Sequence, residues 1–422
     1  MPDFIFRLPS INNLTDAQQI AFYEQRGILI TGGPGSGKTV VSIFRFLRQI
    51  AAGQNAIFFT YNRTLMSSVR GTLRQRADLL LPNLNEIQVE RIVNSNIGSM
   101  FEWYYAHFNL FLKDVSDENI TNNFTSHIAN GNQQFHELFI DEAQDLRPGI
   151  IAELYRLASK VSCGADRAQD IQGQYAGPAD DIIFELLQTQ SPTTVRQELT
   201  QNFRNTKEIF EFARNFVPED DNVQEIDISL LGTGESPDII SDLSFEQQLD
   251  TILQIIKDNP NNNIGILVHT KKEIISIKEF LETNGYSCAA DAADNLSFSY
   301  YYSGMDAAHK QAVESKLRTP FILTFESCKG LEFDTVILPF FNKANWALNN
   351  FKPTNDNPEL DASGNPKTWA TPNHYYVACT RARSQLYIFF DNKPDILDFW
   401  NEEDEEIGGA NIADDLPFKI KI

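Results

Sequence analysis

Short, fully apolar runs alternate with longer amphipathic stretches along most of the chain. The apolar runs lie at 27–31, 56–60, 137–141, 160–164, 263–270, 320–327, 334–341 and 384–390. Runs of this kind, separated by helical patterns, are typical of parallel strands that helices cover on both faces. The pattern therefore predicts an α/β fold with two parallel sheets, one in each half of the chain.

A break in this pattern near residues 190–194 (QSPTT) predicts a division between two domains. The first domain is expected to comprise residues 1–195 and the second residues 196–394. The segment at about 65–135 is rich in aromatic and then in polar residues, which predicts a helical insertion in the first domain. Within it, the aromatic residues at 101, 104, 108 and 111 have helical spacing, which favours a buried core over a base-stacking platform.

The stretch from residue 29 to residue 40 reads LITGGPGSGKTV, with an apolar strand before it and a helical pattern after it. Its spacing, G-x4-G-K-T, is that of a P-loop in the expected context. Glycines let backbone N–H groups turn toward phosphates, and the helix N-terminus adds partial positive charge. We expect Lys38 to reach the β- and γ-phosphates and the Thr39 hydroxyl to bind Mg²⁺. The predicted phosphate-binding residues are Gly32, Gly33, Pro34, Gly35, Ser36, Gly37, Lys38 and Thr39.

A second chemical element follows the apolar run at 137–141, where the sequence reads LFIDEAQD. Asp141 ends the predicted strand, and Glu142 comes next. Mg²⁺ is bound by few carboxylates together with substrate phosphates, so one aspartate suffices to hold it. Glu142 is then placed to orient or deprotonate an attacking water. Thr39 and Asp141 are the predicted metal ligands.

Together with the P-loop, the DEAQD sequence resembles the UvrD/Rep-like branch of superfamily 1 helicases. Other segments are similar to the remaining motifs of that family, in the family's order. They are LTDAQQIA (14–21), FTYNR (59–63), GADRAQ (164–169), LTQNFR (199–204), TFESCKGLE (324–332) and YVACTRAR (376–383). The resemblance extends over residues 14–390 and implies two RecA-like P-loop NTPase domains, with ATP in the cleft between them.

The resemblance also implies roles for individual residues around ATP. Gln18 would read the adenine edge, and Phe203 would stack on the base. Gln169 would couple the γ-phosphate to the nucleic-acid groove. Arg204 and Arg381 would contact the γ-phosphate from the second domain, with Arg381 as the arginine finger. Two further residues complete the expected ATP site: Gly330 and Glu332.

On the nucleic-acid side the chain departs from the family in several places. The family often has an arginine where this chain has Val40, and a His or Thr where this chain has Glu326. The interval from Arg204 to Lys329 is 125 positions, so the accessory 2B domain is expected to be absent or vestigial. The residues expected at a nucleic acid are Thr60, Tyr61, Asn62, Arg63, Tyr175 and Thr324.

The charge of the chain makes nucleic-acid binding less obvious. The 422 residues carry a net charge of −22, and residues 196–422 hold 37 acidic and 20 basic side chains. Nine acidic residues lie between Asp395 and Asp415, so residues 395–422 are expected to form an acidic tail. A nucleic-acid binder usually has a basic surface, which in this chain would be confined to a groove.

The cysteines and the hydropathy indicate the cellular compartment. The four cysteines are far apart and form no CxxC pair, which favours reduced thiols over disulfides or zinc ligands. No apolar run approaches the roughly 20 residues of a membrane span, and the N-terminus lacks a basic segment followed by an apolar one. A cytoplasmic location is therefore expected.

Two functions remain open from the sequence. The first is an ATP-dependent DNA helicase or single-strand translocase that acts on single-stranded or tailed duplex DNA. The second is a nucleotide-gated ATPase subunit whose protein partner, such as a nuclease or a defence-system subunit, supplies another activity. The motif at 376–383 is similar to that of the helicase subunit of the Gabija defence system. The acidic tail and the missing accessory domain favour the second function somewhat.

Overall fold

The computed structural model describes residues 7–132, 134–171, 174–217, 226–288, 293–302, 304–305, 317–341 and 372–400. Residues 342–371 and most of the expected acidic tail lie outside these residues. No helix in the described part of the chain is long and apolar enough to cross a membrane.

Among the described residues, the first sheet contains six strands. They are β1 (Ile28–Gly32), β2 (Ala56–Thr60), β3 (Ile97–Gly98), β4 (Glu137–Asp141), β5 (Val161–Ala165) and β6 (Val195–Leu199). Their order is β3-β2-β4-β5-β1-β6, and all neighbours are parallel. The strand before the P-loop is thus separated from the strand that ends in Asp141 by one strand, as in RecA-like domains.

Helices surround this sheet and also form the insertion between β2 and β4. They are α1 (Asp16–Tyr23), α2 (Lys38–Ala51), α3 (Arg63–Gln75), α4 (Ala77–Leu80), α5 (Glu86–Ser95), α6 (Met100–Phe108), α7 (Asp117–Ala129), α8 (Pro148–Ile151), α9 (Leu154–Leu157) and α10 (Ala179–Gln190). Helices α3 to α7 make up the helical insertion.

The second sheet repeats the architecture. Its elements are α11 (Lys207–Arg214), β7 (Asp238–Ile240), α12 (Phe245–Asp258), β8 (Ile264–Val268), α13 (Lys271–Thr283), β9 (Ser299–Tyr301), β10 (Phe321–Thr324), β11 (Phe333–Leu338), α14 (Pro372–Cys379) and β12 (Ala382–Phe389). The strand order is β7-β12-β11-β8-β10-β9, again with parallel neighbours. The predicted fold class, α/β with two parallel sheets and a helical insertion in the first, is confirmed.

The first sheet extends past the expected domain boundary at residue 195. Strand β6 pairs with β1 over Val195–Leu199, so it belongs to the first sheet. Its sequence, VRQEL, is only partly buried because β6 is the edge strand. An edge strand exposes one side to solvent and therefore lacks the apolar run that marks the central strands.

Alternate residues of the central strands enter two separate hydrophobic clusters. Ile28 and Ile30 of β1 belong to one cluster, and Leu29 belongs to the other. Because side chains alternate across a strand, this division means that both faces of the sheet are buried. The cluster of Ile28 and Ile30 also contains Leu323 and Leu338 of the second sheet, so the two sheets share a continuous apolar layer.

The aromatic run of α6 is only partly core. Tyr104 is fully buried against Phe124 of α7, with ring centroids 5.9 Å apart. Tyr105 and Phe111, in contrast, stack on each other at 4.9 Å and remain 45% and 62% exposed. The predicted core is therefore confirmed at Tyr104, whereas Phe111 lies at the surface.

A buried ion pair anchors the start of β4. Arg45 and Glu137 are both 0% exposed, and Arg45 Nη2 lies 2.7 Å from Glu137 Oε1. The second carboxylate oxygen accepts a hydrogen bond of 2.6 Å from Gln49 Nε2. Since β4 ends in Asp141, this pair fixes the strand that carries the acidic residues of the site.

We predict that Glu137→Gln destabilises the protein by about 3–5 kcal/mol, because it leaves the Arg45 charge buried without a carboxylate. The measurement is the apparent free energy of unfolding in urea. The matched control is Glu90→Gln, which removes a surface pair with Arg74 and should cost no more than about 1 kcal/mol. Equal losses in the two variants would contradict the prediction.

Candidate functional site

The P-loop connects the end of β1 to the start of α2. Gly37 caps α2 with φ 90° and without any side-chain hydrogen bond, so the helix N-terminus faces the loop. Gly35 has φ 72°, and a Cβ there would lie 2.4 Å from Asn202 Oδ1. Glycine is required at such a position, since other residues are strained in the left-handed region. The resulting turn, with the helix dipole behind it, is suited to binding an anion.

Lys38 is the first residue of α2, and its side chain lies back over the loop. Its ammonium donates hydrogen bonds to the carbonyl oxygens of Gly32 (2.6 Å) and Gly33 (2.9 Å). Asp166 Oδ2 lies 3.5 Å away. The charge is thus held inside the loop, where phosphate oxygens would replace the carbonyl partners.

Thr39 and Asp141 meet at the ends of α2 and β4. The threonine hydroxyl donates to Asp141 Oδ2 at 2.9 Å. Burial, reinforced by the carboxylate of Glu142, raises the pKa of Asp141 to about 7. No group of three or more His, Cys, Asp or Glu in the described ranges could hold a metal ion by itself. One hydroxyl and one carboxylate fit Mg²⁺, which takes oxygen ligands and completes its shell with phosphates and water.

Glu142 has an unusual backbone conformation, with φ 56°. A residue other than glycine in this region carries strain of about 1–3 kcal/mol, which is typical of functional positions. Its Oε2 accepts a hydrogen bond of 2.6 Å from Gln144 Nε2. Burial opposes the charge, but the positive charges of Lys329 and Lys38 outweigh it and lower the pKa of Glu142. The side chain is therefore a carboxylate at neutral pH.

A chain of buried hydrogen bonds runs from the P-loop to the second sheet. From Asp166, beside Lys38, it continues to Gln169, whose Nε2 donates to Asp166 Oδ2 at 2.6 Å. Gln169 Oε1 then accepts from Arg381 Nη2 at 3.2 Å. Residues of three separate motifs are thus connected, and the arginine comes from the second sheet while the others come from the first.

Two arginines approach the site from different directions. Arg381 lies just before β12 and is almost fully buried; burial, together with Arg204, lowers its pKa to about 10, so it stays charged at neutral pH. Arg204 follows β6 of the first sheet, not a strand of the second as expected from the boundary at 195. Its Nη1 donates to the carbonyl oxygen of Thr380 at 3.3 Å, which brings it beside Arg381.

These groups surround a cavity of about 400 Å³. Fourteen of the predicted site residues line it: Gln18, Pro34, Gly35, Ser36, Gly37, Lys38, Thr39, Glu142, Gln169, Phe203, Arg204, Gly330, Glu332 and Arg381. Three predicted residues lie behind this lining: Gly32, Gly33 and Asp141. Six lining residues were missed: Arg7, Leu8, Pro9, Asn13, Val40 and Arg383.

The missed residues come mainly from the segment before α1. Arg7 Nη2 lies 2.8 Å from Asp334 Oδ1, so this segment reaches the second sheet across the cavity. Arg383 Nη1 lies 2.9 Å from Glu332 Oε1. Nothing in the sequence LPSINN marks a cavity wall, whereas Arg383 could have been found as the second arginine of the TRAR sequence.

The two residues expected at the adenine differ in how far their side chains are engaged by the protein. The Phe203 ring is 52% exposed and faces the cavity. Gln18 Nε2 donates to the carbonyl oxygen of Ser36 at 2.9 Å, and its Oε1 accepts from the backbone N–H of Thr15 at 3.0 Å. The Gln18 amide thus holds α1 against the P-loop through backbone hydrogen bonds.

The residues expected at a nucleic acid do not form one exposed surface. Tyr61 is 39% exposed and contacts Phe101 edge to face at 5.4 Å. Arg63 pairs with Glu102 of α6. Thr60 is buried at the end of β2, and its hydroxyl has no hydrogen-bond partner among the described residues.

The other three residues of this group are engaged inside the protein. The Asn62 amide donates to the carbonyl oxygens of Ser327 (3.0 Å) and Lys329 (2.5 Å). The Tyr175 hydroxyl donates to the carbonyl oxygen of Leu146 at 2.5 Å. The Thr324 hydroxyl lies 2.9 Å from the Ser327 hydroxyl. Asn62 and Tyr175 therefore connect distant segments of the protein, whereas Thr324 holds its own turn.

Two solved helicase structures are similar to this chain at a low level. Arterivirus nonstructural protein 10, a helicase in complex with DNA, has a TM-score of 0.38 and 15% identity, and the match covers 90% of this chain and 64% of that one. The PRRSV helicase has a TM-score of 0.37 and 14% identity, with 89% and 54% covered. The assignment of two RecA-like domains rests on the strand order of the two parallel sheets.

Sequence comparison is more informative. A protein of Acanthamoeba polyphaga mimivirus that is named as an ATP-dependent DNA helicase, R568, is 25% identical over 313 residues. The match covers 69% of this chain but 39% of R568, so the chain spans less than half of that curated relative. The family described as the Schlafen group 3 DNA/RNA helicase domain matches residues 25–284. Since that match covers more than half of the chain, the chain belongs to the Schlafen group 3 DNA/RNA helicase domain family.

Proposed function

We propose that this chain hydrolyses ATP in the cavity between its two sheets and uses the reaction to translocate along, or unwind, nucleic acid. The observation that carries the proposal is the buried connection from Lys38 through Asp166 and Gln169 to Arg381. It joins a phosphate-binding loop on one sheet to a cationic side chain on the other. Hydrolysis would then depend on the relative position of the two sheets, as a motor requires.

The P-loop would bind the triphosphate. Lys38 would exchange its carbonyl partners for the β- and γ-phosphates, and the N-terminus of α2 would add backbone donors. Thr39 and Asp141 would hold Mg²⁺, which would neutralise part of the negative charge on the phosphates. The Glu142 carboxylate would orient the attacking water and accept its proton.

The arginines would act on the transferred phosphoryl group. Arg381 and Arg204 lie beside the cavity from two different segments, so both guanidinium groups can face the γ-phosphate. An arginine finger contributes about 10³–10⁵ in rate to phosphoryl transfer. Phe203 and Gln18 would contact the base, and Gly330 and Glu332 would contact the rest of the nucleoside.

DNA is the nucleic acid we propose, either single-stranded or as a tailed duplex, in the manner of UvrD/Rep-type helicases. The family membership supports a nucleic acid without distinguishing DNA from RNA, and the DNA helicase name of the mimivirus relative favours DNA. Tyr61 and Arg63 are the proposed strand contacts because they combine an exposed ring with a cation.

The three free cysteines that are buried (Cys163, Cys328, Cys379) fit a reducing, cytoplasmic compartment.

A second candidate is an ATPase subunit that is gated by a protein partner, as in a defence complex of the Gabija kind. The observation that favours it is the net charge of −22, which disfavours extensive contact with phosphates. In this case nucleic acid alone would not activate hydrolysis. For both functions we propose that the first domain extends from the expected limit at 195 to the end of β6 at about residue 199, and that the second domain follows it to about residue 394.

The first prediction from the proposed function separates binding from chemistry. Lys38→Ala should weaken ATP binding by roughly 10-fold or more, because a charged hydrogen bond to the phosphates is lost. Glu142→Gln should bind ATP as the wild type does but lower turnover by about 10²-fold or more. Equilibrium binding of a fluorescent ATP analogue and steady-state phosphate release measure the two quantities. Equal loss of affinity in both variants would contradict the assigned roles.

The second prediction concerns the arginine from the second sheet. Arg381→Ala should lower kcat by about 10³-fold and change KM for ATP by only a few-fold, because the guanidinium acts on transition-state charge. The surface variant Arg74→Ala is the control for loss of an arginine. Normal kcat in a folded Arg381→Ala protein, as judged by circular dichroism, would show that the second sheet does not complete the site.

The third prediction distinguishes the two candidate functions. If the chain is a translocase, single-stranded DNA should stimulate its ATPase several-fold, and RNA of the same sequence tests the choice of nucleic acid. With few phosphate contacts at about −0.7 each, the slope of log K against log salt should be on the order of −2 to −3. ATPase activity that no strand stimulates would favour the partner-gated subunit instead.

A further inference from the structure

One lysine outside the nucleotide cavity crosses from the second sheet into the first. Lys329 follows β10, and its ammonium lies 2.7 Å from Asp145 Oδ1, with the two side chains 3% and 1% exposed. It also donates a hydrogen bond of 2.6 Å to the carbonyl oxygen of Gln169. A buried ion pair therefore spans the two sheets directly behind the catalytic groups.

Each partner of this ion pair depends on the other for compensation of its buried charge. Asp145 Oδ2 has no hydrogen-bond partner in the described part of the chain, so Lys329 is the group that compensates this carboxylate. Burial works against both charges: it raises the pKa of Asp145 to about 7, although Lys329 opposes that rise, whereas for Lys329 the carboxylates of Asp145 and Glu142 outweigh burial and keep its pKa above the ordinary value. The 2.7 Å contact is the evidence that the two groups form a pair. Breaking one partner away would leave the other charge buried and uncompensated, which is strongly unfavourable.

The same segment is also held from the proposed nucleic-acid side. Asn62, between Tyr61 and Arg63, donates to the carbonyl oxygens of Ser327 and Lys329. On the other side of Lys329, the Gln169 side chain contacts Arg381. A continuous set of contacts thus runs from Asn62 through the backbone of Lys329 and its side chain to the arginine of the cavity.

We propose that the Lys329–Asp145 pair is an inter-sheet latch that transmits strand binding at Tyr61 and Arg63 to the position of Gln169 and Arg381. Lys329 is a positioning residue, since it touches Gln169 and Asp145 but does not line the nucleotide cavity. A buried ion pair suits this role because separating its partners leaves an uncompensated buried charge, so the paired arrangement is strongly favoured. The proposal rests on the proposed function, because it assumes a strand that activates hydrolysis.

The test compares Lys329→Met, Asp145→Asn and the double variant in the full chain. Basal and oligo(dT)-stimulated kcat and KM for ATP are the readouts. The latch predicts that KM changes only a few-fold, whereas the ratio of stimulated to basal kcat falls to about one in each single variant. The double variant should be no worse than the worse single variant within about twofold, because the two residues act as a unit.

Two controls separate coupling from general destabilisation. Lys278→Met removes another lysine of the second sheet's domain, from a surface pair with Glu282, and should keep the wild-type ratio. Lys329→Arg keeps the charge and should restore part of the stimulation. A latch variant that retains wild-type stimulation overturns the proposal. So does a variant with a higher KM and a lower thermal stability in which the ratio of stimulated to basal kcat is unchanged.

The ATPase of the wild type with and without a strand tests the proposed function itself. If no strand stimulates the wild type, the translocase function fails, and the latch is decided by small-angle X-ray scattering without nucleotide. A radius of gyration that increases in Lys329→Met and Asp145→Asn, but not in Lys278→Met, supports a latch between the two sheets. An unchanged radius in both latch variants overturns it.

Discussion

The structure depends on keeping a group of charged side chains out of water between two sheets. Lys38, Asp141, Glu142 and Arg381 are all buried, and each buried charge requires a partner of opposite sign or a set of hydrogen bonds. Some of these partners lie on the other sheet, as Gln169 does for Arg381. The relative position of the sheets is therefore set by charge pairing as well as by the apolar layer that they share.

This constraint also explains how a strongly acidic chain could bind the polyphosphate that we propose as its ligand. The cavity is lined by five cationic residues, Arg7, Lys38, Arg204, Arg381 and Arg383, and by the carboxylates of Glu142 and Glu332. Its local balance is thus positive although the whole chain carries −22. A low-dielectric cleft of one sign concentrates its field on a ligand of the other sign, so the acidic exterior does not decide what the cavity binds.

The sequence predicts those parts of the site that are fixed by local chemistry. The P-loop and the LFIDEAQD stretch are visible because glycines and an apolar strand are needed wherever such a turn occurs, and both line or support the cavity. Strand β6 is missed because an edge strand need not be apolar. Arg7 is missed because its position depends on Asp334, far along the chain, and no local pattern encodes such a contact.

The departures from ordinary local rules collect at one edge of the first sheet. Glu142 adopts a left-handed backbone, Gly35 could not carry a side chain, and buried polar atoms of Thr60 and Asp145 have no hydrogen-bond partner in the described part of the chain. Selection for stability alone would remove each of these features, since each costs free energy of folding without improving the packing. They lie where β1, β2 and β4 end, which is the edge at which parallel sheets bind their ligands. Their common location fits the proposed phosphate chemistry and inter-sheet contact, and the stability that they cost is supplied by the buried strands behind them.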